Sequence, residues 1–266
     1  MDLQVKGRRA LVTGSTSGLG EATARLLAKE GAEVVIHGRD PGRARKIADS
    51  IIKDGGSASI AVGDLATDAG ADRVAQEALA GGLVDILVNN AGAYEHLNWA
   101  DATPEIWVQT YEVNVISGVR MIQRLVPAMR ERGWGRVVTI GGGLASQPFG
   151  SHPHYNASLA ARHNLAVSLA RDLAGTGVTS NVVSPGAILV PAVQDFLVKL
   201  SPGRGWGDTW EEIELNSVRE IVPNDRDRYG RAEEIAGAVA YLCGHHADYI
   251  SGATVRVDGG SVKSAF

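Results

Sequence analysis

Seven short apolar runs rich in β-branched residues recur along the chain at residues 9–13, 33–37, 58–62, 86–89, 136–140, 179–183 and 254–257. A strand that is apolar on both faces must be covered on both, and a parallel neighbour can be reached only through a crossover of a dozen or more residues. The segments between the runs supply such crossovers. One of them, Glu21-Ala22-Thr23-Ala24-Arg25-Leu26-Leu27-Ala28-Lys29, carries apolar residues at helical spacing. The alternation predicts an α/β fold: a doubly wound parallel sheet of about seven strands with helices on both faces.

The spacing stays regular through Val183 with no linker or shift of composition, so a single domain over residues 1–266 is expected. Residues 187–229 break the rhythm with proline and glycine clusters, mixed charges, Trp206 and Trp210. Long irregular segments in compact domains tend to be lids or binding loops. Following a strand's carboxyl end, this one reads either as a helical flap over the active site or as an insertion used in subunit packing. Its two indoles point to an apolar ligand, although indoles also serve as packing.

The formal net charge is −4 and no run of five like charges occurs, so neither nucleic acid nor an anionic membrane is an expected partner. A lone cysteine, Cys243, can form no internal disulfide, which fits a cytoplasmic location. The chain opens on polar residues, and no apolar run reaches the length of a membrane span. The histidines lack zinc-like spacing with cysteine, so no metal is expected.

Thr13-Gly14-Ser15-Thr16-Ser17-Gly18-Leu19-Gly20 follows the first strand and opens the first helix. Glycines there permit a tight turn and close approach of a pyrophosphate, while the helix N-terminus offers unpaired N–H groups. Further along stand Asp64-Leu65, Asn89-Asn90-Ala91-Gly92, Pro185-Gly186, and Ser251-Gly252 with Val257-Asp258-Gly259-Gly260. Taken in this order, the T-G-x-x-x-G-x-G turn and these motifs resemble those of the classical short-chain dehydrogenases/reductases. The resemblance implies a Rossmann-like fold and an NAD(P)-dependent oxidoreductase. It assigns Gly14, Ser15, Ser17, Gly18, Leu19 and Gly20 to the pyrophosphate turn, and Asp64 and Leu65 to the adenine. Asn89, Ala91, Gly92, Pro185, Gly186 and Ile188 would complete the cofactor seat.

An acid at the end of the second strand would bind the ribose of NAD and repel a 2′-phosphate. That position is Gly38, followed by Arg39. A guanidinium beside a glycine suits a 2′-phosphate through paired, charge-assisted hydrogen bonds, which favours NADP(H) over NAD(H). Two residues weigh the other way. Ser17 stands where many NADP-using relatives carry a second basic residue, and Asp40 could turn inward.

The resemblance makes Tyr155 the proton donor and Asn114 the residue that holds a water on the proton path. Two partners depart from the family pattern: its lysine four residues after the tyrosine is Leu159, and its serine thirteen residues before falls on Gly142. An adjacent ammonium lowers a tyrosine pKa. Without one, a neutral Tyr155 still gives a proton, so ketone reduction survives better than alcohol oxidation. Main-chain N–H groups of Gly141, Gly142 and Gly143 could stand in for the serine, or these glycines simply form a turn. Val190 takes the place of a family threonine that contacts the nicotinamide carboxamide. Possible substitutes for the lost groups are His152, His154, Ser146, Ser151 and Arg162, the last seven residues beyond Tyr155 on the same helical face. His163 is expected to pack against a partner subunit.

The expected function is NADPH-dependent reduction of a small or medium apolar carbonyl compound. The alternative is a cofactor-binding homologue with little or no redox turnover, because Gly142 and Leu159 replace the family serine and lysine. A non-redox acid–base enzyme is disfavoured because the nucleotide turn is kept. The family pairs the helices carrying Asn114 and Tyr155 across a two-fold axis, which implies a homodimer or homotetramer.

Overall fold

All seven apolar runs form strands in the computed structural model, which describes residues 2–265. In chain order the first half runs β1 (Arg9–Val12), α1 (Gly18–Lys29), β2 (Glu33–Gly38), α2 (Pro41–Lys53), β3 (Ser57–Val62), α3 (Asp68–Leu79) and β4 (Ile86–Asn89). Then come α4 (Pro104–Tyr111), a π-helical turn (Glu112–Ile116), α5 (Ser117–Arg132), β5 (Gly135–Ile140), α6 (Pro153–Asp172) and β6 (Val178–Pro185). The rest is β7 (Ile188–Leu189), α7 (Pro191–Arg204), α8 (Trp210–Ile221), β8 (Gly230–Arg231), α9 (Ala232–Cys243) and β9 (Thr254–Val257).

The main sheet has seven parallel strands in the order β3-β2-β1-β4-β5-β6-β9. Because side chains alternate across a strand, each run feeds two cores. Val12, Ile36 and Val88 face α1, α2 and α9, where Leu27, Ile47 and Val239 meet them. Leu11, Val35 and Leu87 face α3 and α5, against Val74, Met121 and Leu125. The strand order reverses between β1 and β4. In open α/β sheets ligands settle in the crevice at the carboxyl ends of strands beside such a reversal. Parallel register then brings Asn89 beside Thr139, and Ile140 beside Val183, so the loops after β4, β5 and β6 share one rim.

Residues 187–229 are mostly helical. Pro191 occupies the first turn of α7 and Gly205 follows its end in the left-handed region (φ 66°), the positions where proline and glycine punctuate a helix without breaking it. Thr209 opens α8 with a reciprocal capping box to Glu212. Leu197, Trp206, Ile213, Val218 and Tyr229 form an apolar cluster of their own, with Trp210 packed against it. Trp206 is 2% exposed and its Nε1 donates to Glu220 at 2.6 Å. The indoles therefore serve the packing of this segment, and the argument from them to an apolar ligand loses its basis.

Candidate active site

Thr13 draws the rim together. Its hydroxyl donates to Val88 O (3.1 Å) and accepts from the N–H groups of Asn90 (2.9 Å) and Ala91 (3.0 Å). The Asn90 amide donates to Thr13 O (2.8 Å) and Gly14 O (3.1 Å). The turn after β1 is thus fastened to the end of β4. A Cβ at Gly20 would overlap both Gly14 O and Asn90 Nδ2, so only glycine lets α1 begin this close to the strand. Ser17 caps α1 through no side-chain hydrogen bond, whereas Asp40 and Thr67 cap α2 and α3. At Gly18 the nearest atom to a built Cβ is Val190 Cγ1 at 3.7 Å. An uncapped helix N-terminus beside bare glycines fits a pyrophosphate, so the residues present fit a dinucleotide. Ser15 contributes differently from the expectation. Its buried hydroxyl donates to Val12 O (2.7 Å) and accepts from His37 N (2.9 Å), which commits the side chain to the turn's interior.

His37, which sequence reasoning did not single out, braces the same turn. Its Nδ1 accepts from Gly14 N (2.9 Å) and its Nε2 lies 3.2 Å from Gly63 O. Burial pushes its pKa from 6.5 down to about 4, only partly opposed by the Gly63 carbonyl and Asp64. The folded protein therefore holds fewer protons here than the unfolded chain, and stability should fall as pH drops below the unfolded value. Between neutral pH and about pH 4.5 the loss from this group should be on the order of 2–3 kcal/mol. Denaturant titrations across that range check it: His37→Gln should flatten the acid-side slope by close to one proton, and an unchanged slope would contradict the bracing role.

At the end of β2, Gly38 packs so closely on Thr16 that an added Cβ would meet Thr16 Cγ2 at 2.5 Å. Asp40 does not turn inward. Its Oδ1 accepts from Gly42 N (2.8 Å) and Arg43 N (3.2 Å), capping α2. Arg39 is exposed and has no hydrogen bond or ion pair among the described residues. Beyond β3, Asp64 Oδ1 accepts from Ala66 N (3.0 Å), and the buried Leu65 offers its carbonyl to Arg120 (3.2 Å).

The rest of the expected seat divides. Gly186 approaches β9 so closely that a Cβ would lie 2.9 Å from Asp258 Cα, and its N–H donates to Val257 O (3.1 Å). Pro185 ends β6, and Ile188 lies in the small β7–β8 sheet. Gly92 borders both Arg162 and Asn114, which lie 3.1 and 3.2 Å from a built Cβ. Asn89 is 3% exposed, its side chain faces Gly118 on α5, and neither amide atom has a partner among the described residues. Its carbonyl is bound by Arg162, so Asn89 shapes the rim from behind.

Tyr155 stands in the first turn of α6 with its ring edge-on to Tyr94 (5.0 Å between centroids, 83°). Its hydroxyl makes no hydrogen bond among the described residues. Burial pushes the phenol pKa up and the Arg162 cation pulls it down, the first outweighing the second. Asn114 is buried in the π-helical turn, a distortion frequent at functional sites. Its Oδ1 accepts from Ala93 N (2.7 Å), while Nδ2 donates to Ala93 O (3.0 Å) and Ser158 Oγ (3.1 Å). That side chain clamps the loop after β4 onto α6.

The two substituted positions touch. A Cβ built on Gly142 lies 2.9 Å from Leu159 Cδ1, and Leu159 is 2% exposed. The leucine thus takes up the space beside the missing serine. Behind it, His163 Nε2 accepts from Gly142 N (3.3 Å) and leaves no room for a Cβ on Gly141. His163 therefore faces the β5 turn of its own chain. Burial, then Arg162, lowers its pKa, in keeping with a neutral acceptor. Gly141 N donates to Val183 O (2.8 Å). Two of the three glycine N–H groups are consequently engaged, and the turn reading of these glycines prevails over the oxyanion one.

Imidazoles crowd the mouth of the site. His152, in the left-handed region at the head of α6 (φ 59°), is 5% exposed. Its Nε2 meets Tyr94 OH at 2.8 Å and, closer still, His96 Nδ1. Burial, then His96, lowers the His152 pKa. His154 is buried against Trp107, with neither ring nitrogen partnered among the described residues. Among the described residues no cluster of three or more histidine, cysteine or acidic side chains could hold a metal ion.

Comparison with known proteins agrees with this geometry. The family model described as short chain dehydrogenase matches residues 8–199. An uncharacterized oxidoreductase of Bacillus subtilis, YvaG, is 38% identical over 269 residues, covering 100% of both chains. The 3-oxoacyl-[acyl-carrier-protein] reductase FabG of Escherichia coli is 34% identical over 97% of this chain and 98% of its own. Among solved structures, L-sorbose reductase from Gluconobacter frateurii, complexed with NADPH and L-sorbose, superposes with a TM-score of 0.92 at 33% identity, covering 99% of this chain and 100% of that one.

Proposed function

The chain belongs to the short-chain dehydrogenase/reductase family of NAD(P)-dependent oxidoreductases, and on that premise we propose that it reduces a carbonyl compound with NADPH. The carrying observation is a phenol in the first turn of α6 whose hydroxyl no group among the described residues claims, its pKa raised further by burial. NADPH, when bound, supplies the hydride. Tyr155 gives its hydroxyl proton to the carbonyl oxygen, leaving an alcohol and a phenolate. Gly14, Gly18, Leu19 and Gly20 hold the pyrophosphate, and Asp64 and Leu65 border the adenine. Residues 187–229 act as a flap on a single catalytic domain. No helix among the described residues is long and apolar enough to cross a membrane, and the lone buried thiol of Cys243 suits a reducing cytoplasm.

Preference for NADPH rests on Arg39, since Gly38 offers no carboxylate and Asp40 is held by α2. Losing a charge-assisted contact costs about 1.5–3 kcal/mol. Arg39→Ala should therefore weaken NADPH binding roughly 10- to 100-fold and leave NADH untouched. Fluorescence titration with both cofactors measures this, and equal affinities in the unaltered protein would remove the argument.

The substrate reading shifts from the apolar expectation. Tyr94 lies edge-on to Tyr155 and its hydroxyl meets His152, which in turn meets His96; this polar chain favours a carbonyl compound bearing hydroxyls, as in the sugar bound by the L-sorbose reductase. One observation keeps a second reading open: no main-chain donor replaces the family serine at Gly141 or Gly142, as a cofactor-binding homologue with little turnover would tolerate. Exposed apolar residues on and beside α4, Trp99 (69%) and Val108 (64%), suit burial against a second copy in a homodimer or homotetramer.

A further inference from the structure

Arg162 is 7% exposed, and no carboxylate among the described residues pairs with it. Nη2 donates to Asn89 O (3.0 Å) and Ala91 O (3.1 Å), and Nη1 lies 3.1 Å from a Cβ built on Gly92. A buried charge without a counter-ion is costly, and chains that keep one commonly use it. The guanidinium therefore sits under the loop after β4, beside Asn114 and within the rim that Tyr155 overlooks.

Helix geometry explains how it gets there. Seven residues are two turns, so Arg162 and Tyr155 share a face of α6 roughly 10 Å apart along the axis. Side chains on a helix lean toward its N-terminus, and a long arginine spans most of that interval. A lysine four residues after the tyrosine would approach the phenol from the next turn; here Leu159 fills that place and closes on Gly142.

We propose that Arg162 is the cation that stabilises the Tyr155 phenolate, acting from two helical turns away in place of the ammonium absent at position 159. It is a positioning residue, since it acts through Tyr155. This inference rests on the reductase reading for its purpose. When Tyr155 passes its proton to the substrate oxygen, the O–H electron pair stays on the phenol oxygen, and the guanidinium offsets that charge until a proton returns. Arg162 keeps its charge at neutral pH, its pKa lowered by burial only to about 10. The other titratable groups gathered here are Tyr94 and His96 from the loop after β4, and His152, His154 and His163 of α6 and its head. Burial favours neutral imidazoles at His152 and His163.

The test replaces Tyr155 with 3-nitrotyrosine, whose phenolate absorbs visible light and forms where the protein is folded. It is titrated without cofactor or substrate in the full chain. Arg162→Gln keeps an amide donor for the carbonyls and loses the charge; it should raise the nitrophenol pKa by about one unit or more, a tenfold loss of phenolate. Arg162→Lys keeps the charge and should stay within about half a unit of the parent. Equal pKa values in parent and Arg162→Gln would show that Arg162 only ties carbonyls together, overturning the proposal. Where Arg162→Gln does not fold, Arg162→Lys decides alone: a rise of about a unit with the charge retained overturns it as well. Because no turnover is read, failure here leaves carbonyl reduction standing, and failure to find a reduced carbonyl compound leaves this titration valid.

Discussion

Replacing Tyr155 by phenylalanine should remove carbonyl-dependent NADPH consumption while leaving NADPH binding and thermal stability unchanged. Phenylalanine keeps the ring that meets Tyr94 edge-on at 5.0 Å. It forfeits only a hydroxyl that no group among the described residues binds, so the loss falls on chemistry rather than folding. General acid catalysis contributes about 10²–10⁴-fold, and the drop in kcat should lie in that range, with KM little moved. The measurement is NADPH absorbance with a panel of ketones, hydroxyketones and quinones, beside a fluorescence titration of the cofactor. A variant as active as its parent would mean that another group delivers the proton. If no compound of the panel is consumed by the unaltered protein, although the cofactor binds, the low-turnover reading gains.

Restoring the family pair, Gly142→Ser with Leu159→Lys, should increase alcohol oxidation more than ketone reduction. Neither change stands well alone. A serine Cβ would press on Leu159 Cδ1 at 2.9 Å, an overpacking worth about 1–3 kcal/mol. A lone lysine at 159 would bring an ammonium into a buried place (2% exposed in the parent) near the buried Arg162 cation. Together, the lysine stem lacks the branch methyl that meets the new Cβ at position 142, and the new hydroxyl accepts from the ammonium, so the two effects should be markedly non-additive. The gain in oxidation kcat/KM should be about tenfold, below the full 10²–10⁴ of acid–base catalysis, because Arg162 already stabilises the phenolate. Rates in both directions, with the melting temperatures of singles and pair, check it. A flat response in both directions would undo the assignment of these positions.

The sheet was legible because buried parallel strands read as continuous apolar runs, and all seven appear where those runs lie. The glycine turn was legible for a related reason: close approach of backbone to backbone, as at Gly20 and Gly186, leaves a mark that only one residue type can make. Residues 187–229 read as irregular because proline and glycine signal breaks, yet Pro191 and Gly205 mark the start and stop of a helix. The catalytic side was harder. Helix α6 buries residues all round, among them His154, Asn156, Leu159 and Arg162, so periodicity gave no way to tell which polar side chains turn inward. The contact of His163 with the β5 turn escaped notice on that account. Arg162 could be placed on the face of Tyr155 by counting turns, but its hold on Asn89 O and Ala91 O depends on where β4 ends, which is a property of the assembled sheet.

The segment between β6 and α9 encloses an apolar nucleus of its own, from Leu197 to Tyr229, and is bounded by β7 and β8, which form a separate two-stranded sheet. A piece that satisfies itself in this way is an exchangeable cassette. On the flap reading proposed above, its outer face is where a relative's surface could be grafted to reach new substrates, provided the graft keeps Val190 beside Gly18 and Asp225, whose N–H donates to Gly259 O (2.8 Å).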